Sequence, residues 1–153
     1  MFKKITVLVV IISILAFAAG SFFMARHAQA INQQRVLFNL TSDELVVSAM
    51  PLRTATMILD QGGQVVVLLN IKAVRLASTT IPQNIHSGIG APLQAKLTEI
   101  IQKGGRVLVC PNCMANQGVT VQELIPGAET LNQMQGEMFT DILTDPNTNI
   151  ISY

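Results

Sequence analysis

The residues of this 153-residue chain with the clearest capacity for chemistry are its two cysteines, Cys110 and Cys113. A thiolate is the nucleophilic form of cysteine, and a second thiol at this spacing can attack a disulfide or sulfur adduct formed on the first. We therefore interpret Cys110-Pro111-Asn112-Cys113 as a site for sulfur or thiol chemistry. Three other interpretations stay open: an inert structural disulfide, a disulfide that exchanges with partners, and two buried thiols that pack as small apolar side chains.

The residues around the pair predict where each thiol lies. The apolar run Val107–Val109 is typical of a buried strand, and Cys110 follows its carboxyl end. Pro111 suits the first position of a helix, because its missing N–H would have no partner there and its φ is already set. Cys113 would then lie in the first helical turn. Unpaired N–H groups and the helix dipole favour a thiolate, so we expect a lowered thiol pKa at this site.

Metal binding at the pair is not expected. Two thiolates fill half of a tetrahedral zinc shell, and His86 is the only histidine after residue 30. The chain also lacks a glycine-rich phosphate loop, a Ser-His-Asp order and a His-Glu-x-x-His motif. We predict no metal and no cofactor.

Four other side chains are weaker candidates for the site. His86 falls in a long segment without periodicity and could act as an acid or base beside the thiolate, but a solvated loop position is favoured. Arg53, Arg75 and Arg106 could bind an anionic sulfur donor, yet solvation at the surface is favoured for each.

Residues 1–30 are typical of a signal peptide. Lys3 and Lys4 precede the apolar run Ile5–Gly20, and Ala28-Gln29-Ala30 matches the small-x-small rule for signal peptidase. We predict cleavage after Ala30, export to the periplasm, and a single domain over residues 31–153. The alternative is an uncleaved anchor, since about 20 apolar residues suffice to span a bilayer; membrane contact is expected only through this segment.

The charge and aromatic content of the remaining domain argue against nucleic-acid binding. Loss of Lys3, Lys4 and Arg26 with the leader lowers the ten basic residues to seven, against nine acidic ones. Only three aromatic residues remain after residue 30, which leaves no platform for stacking bases. We therefore expect no nucleic-acid partner.

Apolar strand-like runs alternate with helical patterns along the rest of the chain. Such alternation predicts an α/β domain with a mostly parallel sheet and right-handed crossovers. The predicted strands are Arg35–Leu40, Gln64–Leu69, Val107–Val109, Ala128–Leu131 and Asn149–Tyr153. Ligands of such sheets bind beyond the carboxyl ends of the strands, where Asn39, Asn70 and Cys110 all lie. The topology thus places Cys110 on the functional edge.

Sequence signals for helices lie between these predicted strands. Thr41 and Glu44 match a capping box before the first helical stripe, in which Pro51 predicts a kink or an interrupted first turn. Ser78–Ala91 is predicted to be a loop, Pro92 to open the next helix, and Gln133–Leu143 to be helical. The glycine pairs Gly62-Gly63 and Gly104-Gly105 predict one helix-to-strand junction used twice.

Over residues 34–153 the sequence resembles the DsrE/DsrF-like family of sulfur-relay proteins. The resemblance rests on Val107–Cys110 followed by Gly118, on Glu123–Gly127, and on the closing Ile150–Tyr153. It implies a three-layer α/β/α fold with a mostly parallel five-stranded sheet, assembled as a trimer or hexamer. It also implies that Cys110 matches the cysteine that carries sulfur as a persulfide. Cys113 and the signal peptide depart from the relay members.

We therefore expect an exported DsrE-like protein in which Cys110 accepts sulfane sulfur and Cys113 is the resolving thiol. Its partners would be a small sulfur donor or a thiol protein, and further copies of itself. One alternative is a non-catalytic assembly module of the same fold. Another is a thiol–disulfide exchange protein, although the thioredoxin pair follows the first core strand and this pair follows the third.

The leader prediction is tested by N-terminal sequencing of protein recovered from the periplasmic fraction. Ile31 is expected as the first residue, because Ala28 and Ala30 satisfy the small-residue requirement of signal peptidase. Ala28→Leu and Ala30→Leu should each leave the leader uncleaved. An intact Met1 in wild-type protein recovered with the membrane would show instead that the segment is an anchor.

Overall fold

The computed structural model describes residues 34–132 and 138–153. Its strands are β1 (Arg35–Leu40), β2 (Gln64–Leu69), β3 (Ile85–His86), β4 (Ala91–Pro92), β5 (Arg106–Val109), β6 (Glu129–Thr130) and β7 (Thr148–Ser152). Its α-helices are α1 (Leu45–Asp60), α2 (Leu93–Gln102), α3 (Pro111–Gln117) and α4 (Phe139–Thr144). Two short 3₁₀ helices cover Ala73–Ala77 and Val121–Glu123.

Five strands form the main sheet in the order β6-β5-β2-β1-β7, and every neighbouring pair is parallel. The predicted α/β class with a mostly parallel five-stranded sheet is therefore confirmed. The register brings the carboxyl ends of the central strands level, since Leu40 lies opposite Leu69 and Leu69 lies opposite Val109. The residues that follow these three positions consequently meet at one edge of the sheet.

The apolar runs of the central strands are buried because helices cover both faces. On one face, α1 and α2 pack against each other and against the sheet, and Leu52, Leu97 and Ile100 are fully buried there. On the other face, α4 contributes Ile142 to a smaller cluster. The helical stripes predicted for α1 and α2 supply these buried residues, and α1 continues without a break through Pro51.

The junction from α1 to β2 is a Schellman motif. The N–H of Gly62 donates to Leu59 O at 2.9 Å, and the N–H of Gly63 donates to Ile58 O at 2.9 Å. Gly62 has φ +80°, in the left-handed region that the motif requires.

The junction from α2 to β5 repeats the same motif. The N–H of Gly104 donates to Ile101 O at 3.0 Å, the N–H of Gly105 donates to Ile100 O at 2.9 Å, and Gly104 has φ +86°. The predicted reuse of one junction is therefore correct. It matters for the candidate site because this second junction leads into β5, which ends at Val109, directly before Cys110.

Two local predictions are wrong. The capping box at the start of α1 does not form, since the N–H and hydroxyl of Thr41 both donate to the carbonyl of Tyr153, and the N–H of Glu44 donates to Ser42 Oγ at 3.0 Å instead. The segment Ser78–Ala91 is not a plain loop, since β3 and β4 pair in it as a short antiparallel hairpin. In both cases a contact made only in the folded chain overrides the local pattern.

Two sequence predictions fall partly or wholly outside the described residues. The leader over residues 1–30 lies outside them, and so do residues 133–137 of the predicted helix Gln133–Leu143. The described remainder of that helix is α4, which begins at Phe139 and ends at Thr144. Within residues 34–132 and 138–153, no helix is both long and apolar enough to cross a bilayer.

The α2–β5 junction predicts unequal costs for its two glycines. A Cβ at Gly104 would meet open space, so Gly104→Ala should lower the free energy of unfolding by about 1 kcal/mol through its left-handed φ alone. A Cβ at Gly105 would lie 2.7 Å from Ile100 Cγ2 and 3.0 Å from Ile100 O. Gly105→Ala should therefore cost more, about 2–3 kcal/mol from overpacking. Urea unfolding of both variants checks the order, and equal losses would contradict it.

Candidate thiol site

The carboxyl end of β5 is held from both sides. The N–H of Cys110 donates to Leu69 O of β2 at 3.1 Å, and the N–H of Leu131 donates to Val109 O at 3.2 Å. Because β5 lies between β2 and β6, its last residues are fixed by two neighbours. Cys110 thus occupies the sheet edge that the sequence predicted.

The helix α3 begins at this point in the way the sequence predicted. Cys110 is the N-cap residue, Pro111 opens the helix, and the N–H of Met114 donates to Cys110 O at 2.9 Å. The Cys110 Sγ accepts the N–H of Cys113 at 3.3 Å, which is the bond that an N-cap side chain normally accepts. Met114 anchors the helix in the core with 3 % of its surface exposed.

The second sulfur has a different neighbour. Cys113 Sγ lies 3.9 Å from Asn70 Oδ1 and donates a weak hydrogen bond to it. Asn70 follows β2, so this contact joins two strand ends of the sheet. Both cysteines are half-buried free thiols.

The expectation of a lowered thiol pKa is wrong for Cys110. Burial raises the pKa of the Cys110 thiol above its ordinary value, and the adjacent Cys113 thiol raises it further. The backbone N–H groups of Cys113 and Asn112 lower the pKa of Cys110, but by less than burial and the Cys113 thiol raise it. The reason is that desolvation disfavours the charged form, while the seven-residue helix α3 offers only a few donors against it.

His86 is engaged in its own hairpin. It belongs to β3, and its Nδ1 accepts the N–H of Gly88 at 3.1 Å. It is half-buried, and its described hydrogen bond is to this turn and not to either cysteine.

The three arginines are placed apart from one another. Arg75 pairs with Asp43 at 2.9 Å, and Arg106 makes two hydrogen bonds to Glu129, at 3.1 and 3.0 Å. Arg106 begins β5, so it lies at the opposite end of that strand from Cys110. Arg53 is exposed on α1. The structure therefore gathers none of these predicted anion ligands around the thiols by a described contact.

Sequence reasoning located Asn39 and Asn70 at the correct edge but gave them no role. The described hydrogen bonds show one: Asn70 Nδ2 donates to Asn39 Oδ1 at 2.8 Å, while Asn70 Oδ1 faces Cys113. Two asparagines that each follow or end a predicted parallel strand are the signal that could have suggested the contact.

Two pockets open near this edge of the sheet. One of about 280 Å³ flanks α3 beside Pro111, and its walls include Met114, Val119 and Thr130. Another of about 300 Å³ lies between the start of α1 and the segment after the first 3₁₀ helix, beside the Asp43–Arg75 ion pair. The described residues contain no cluster of three histidine, cysteine or acidic side chains that could hold a metal ion.

Together these observations define a class: a small parallel α/β protein with a thiol pair at the carboxyl edge of its sheet. The family model described as "DsrE/DsrF-like family" matches residues 34–137. The chain therefore belongs to the DsrE/DsrF-like family, and the resemblance seen in the sequence is confirmed.

Solved structures agree with this fold. The chain is similar to MTH1491 from Methanobacterium thermoautotrophicum, a protein of unknown function, with a TM-score of 0.59 and 13% identity over 78% of this chain and 99% of that one. It is also similar to the YchN protein from E. coli, with a TM-score of 0.55 and 15% identity over 78% of this chain and 98% of that one. At these identities the likeness concerns the fold alone. No curated protein matches the chain.

The raised pKa of Cys110 predicts the pH dependence of its alkylation. Only the thiolate reacts with iodoacetamide, so the rate should rise with pH to a midpoint above that of a free cysteine peptide. Cys113→Ala removes a neighbour that raises the pKa of Cys110, and the midpoint should move down toward the ordinary value. Peptide mapping by mass spectrometry over a pH series measures both midpoints. A midpoint below that of the free peptide would contradict the dominance of burial.

Proposed function

We propose that this protein carries sulfur as a persulfide on Cys110. In the accepting step the Cys110 thiolate attacks the terminal sulfur of a donor persulfide, R–S–SH. A new S–S bond forms on Cys110, the donor's own S–S bond breaks, and the donor leaves as the thiolate R–S⁻. The step transfers one sulfur atom and needs no metal or added oxidant.

The observation that carries the proposal is the position of Cys110 in a member of this family. Cys110 follows β5 at the carboxyl edge of the sheet, and its half-buried thiol accepts a backbone N–H that favours a negative charge on the sulfur. The pocket of about 280 Å³ beside Pro111 adjoins this edge and offers space for the body of a small donor. Membership of the DsrE/DsrF-like family supports a sulfur-related role.

Cys113 can release the sulfur that Cys110 carries. Its thiolate can attack the inner sulfur of the Cys110 persulfide, which forms a Cys110–Cys113 disulfide and releases hydrosulfide, HS⁻. A dithiol reductant then restores both thiols. We assign Cys113 this resolving role, and the thiol of a partner protein is the competing acceptor of the carried sulfur.

We further propose that the protein acts in the periplasm after loss of residues 1–30, and that it works as a homo-oligomer. Support for assembly comes from α1, where Val46, Met50 and Met57 are 76%, 61% and 60% exposed. Large apolar side chains grouped on one exposed helix are typical of interaction surfaces. This surface also supports the second candidate function, a non-catalytic assembly module.

Persulfide formation is tested by intact-protein mass spectrometry after the reduced protein meets a sulfane-sulfur donor. One transferred sulfur atom should add about 32 Da to the wild type and to Cys113→Ser, because persulfide forms on the first thiol of the pair. The adduct should be absent from Cys110→Ser. Cys113→Ser should retain it longer than the wild type, since the resolving attack is lost.

The outcomes separate the candidate functions. If no adduct forms on any reduced form, while assembly is unaffected by Cys110→Ser, the assembly module is the function. A disulfide-exchange protein would form no lasting adduct but would cycle between dithiol and disulfide. A reduction potential of the pair below about −300 mV would mark a structural bridge instead.

A further inference from the structure

A chain of polar side chains runs along the carboxyl edge of the sheet and ends at Cys113. Asn39 Nδ2 donates to Ser152 Oγ at 3.3 Å, Asn70 Nδ2 donates to Asn39 Oδ1 at 2.8 Å, and Cys113 Sγ donates to Asn70 Oδ1 at 3.9 Å. The chain crosses from β7 through β1 to the end of β2, in the order in which these strands lie in the sheet. The parallel register is what places its members side by side.

Hydrogen bonds hold both the backbone and the side-chain nitrogen of Asn70 in place. Its backbone N–H donates to Leu40 O at 2.8 Å, and its carbonyl accepts the N–H of Ala73 at 2.8 Å. Its side-chain nitrogen is committed to Asn39. With the nitrogen held there, the amide oxygen is the end that faces Cys113.

The two sulfurs therefore lie in opposite hydrogen-bond environments. Cys110 Sγ accepts a backbone N–H, an interaction that strengthens when the sulfur is negatively charged. Cys113 Sγ donates to a carbonyl oxygen, an interaction that exists only while Cys113 holds its proton. The two thiols are therefore not equivalent, and the Cys113 sulfur is the one held by the side chain of Asn70.

We propose that Asn70 is a positioning residue that holds the Cys113 thiol by this hydrogen bond and so slows the attack of Cys113 on a persulfide at Cys110. This inference rests on the proposed function, in which the two cysteines have unequal roles. Its consequence is a longer-lived Cys110 persulfide. Attack by Cys113 needs a thiolate, and each Cys113 thiolate forms only by giving up the hydrogen bond to Asn70 and facing its carbonyl oxygen.

The test compares the alkylation rates of the two cysteines in the reduced full chain at one pH. The quantity compared is the ratio of the Cys110 rate to the Cys113 rate in each variant and in the wild type. Asn70→Leu removes the acceptor at similar size, and the Cys110 to Cys113 rate ratio should fall by about two- to threefold, the low end of the range for one hydrogen bond. Asn70→Asp keeps an acceptor oxygen and adds a negative charge that disfavours a Cys113 thiolate further, so the ratio should not fall. Asn39→Leu only loosens the Asn70 side chain and should lower the ratio less.

Asn149→Leu is the matched control, because Asn149 is an exposed asparagine on β7 outside the chain of hydrogen bonds described above. Its ratio should equal that of the wild type. Circular dichroism and the urea midpoint establish which variants are folded, and Asn39→Leu carries the test if Asn70→Leu is not. An unchanged ratio in folded Asn70→Leu, or an equal loss in Asn70→Asp and Asn70→Leu, would overturn the proposal.

Sulfide release provides a second measurement that separates the two proposals. From a preloaded Cys110 persulfide, Asn70→Leu should release hydrosulfide faster than the wild type, while Asn70→Asp should not. If no form of the protein takes up sulfur but the alkylation ratio still responds to Asn70→Leu, the sulfur-carrier function fails and the role of Asn70 stands. If persulfide forms on Cys110 but neither measurement responds, only the role of Asn70 fails.

Discussion

The in-register parallel pairing of β1, β2 and β5 is the constraint on which the rest of the structure depends. Leu40, Leu69 and Val109 lie level across three strands, so the chain leaves the sheet at one edge each time. Parallel strands require a helix or a long crossover between them, and α1 and α2 supply it from one face. The edge then receives Asn39, Asn70 and Cys110 from distant parts of the sequence. A candidate site exists there because the backbone register aligns these positions.

Burial and hydrogen bonding compete at the thiol pair. The N–H of Cys113 points at the Cys110 sulfur and favours its thiolate, but burial and the neighbouring thiol raise the pKa of Cys110 overall. A sulfur that ionises reluctantly is less exposed to unwanted oxidation, while its thiolate is the better nucleophile once formed. Asymmetry between the two thiols comes from their partners, a backbone donor for Cys110 and the Asn70 carbonyl for Cys113.

Sequence reasoning was accurate where one local signal had no competitor. The apolar runs of β1 and β2 are bounded as predicted, and the two glycine pairs form the same Schellman motif because glycine adopts the positive φ of Gly62 and Gly104 at the lowest cost. It failed where a distant segment offered a better partner. Thr41 does not cap α1: its N–H and hydroxyl both donate to the carbonyl of Tyr153, more than a hundred residues away, and Ser42 Oγ accepts the N–H of Glu44 in its place. The β3–β4 hairpin was missed because two-residue strands leave no periodicity to detect.

The sequence by itself determined the fold class, the family, and the place of the cysteine pair at the end of a strand. The fold class and the place of the pair follow from hydrophobic periodicity, glycine and proline chemistry, and residue spacing, which act over a few neighbouring positions, while the family follows from the resemblance of the motifs around Cys110. Only the tertiary structure decided how buried Cys110 is, in which direction its pKa moves, and that Asn70 is the partner of Cys113. Each of these depends on which strands lie side by side. Desolvation and hydrogen bonds between residues such as Asn70 and Cys113 arise from proximity in space, which the spacing of residues along the chain does not specify.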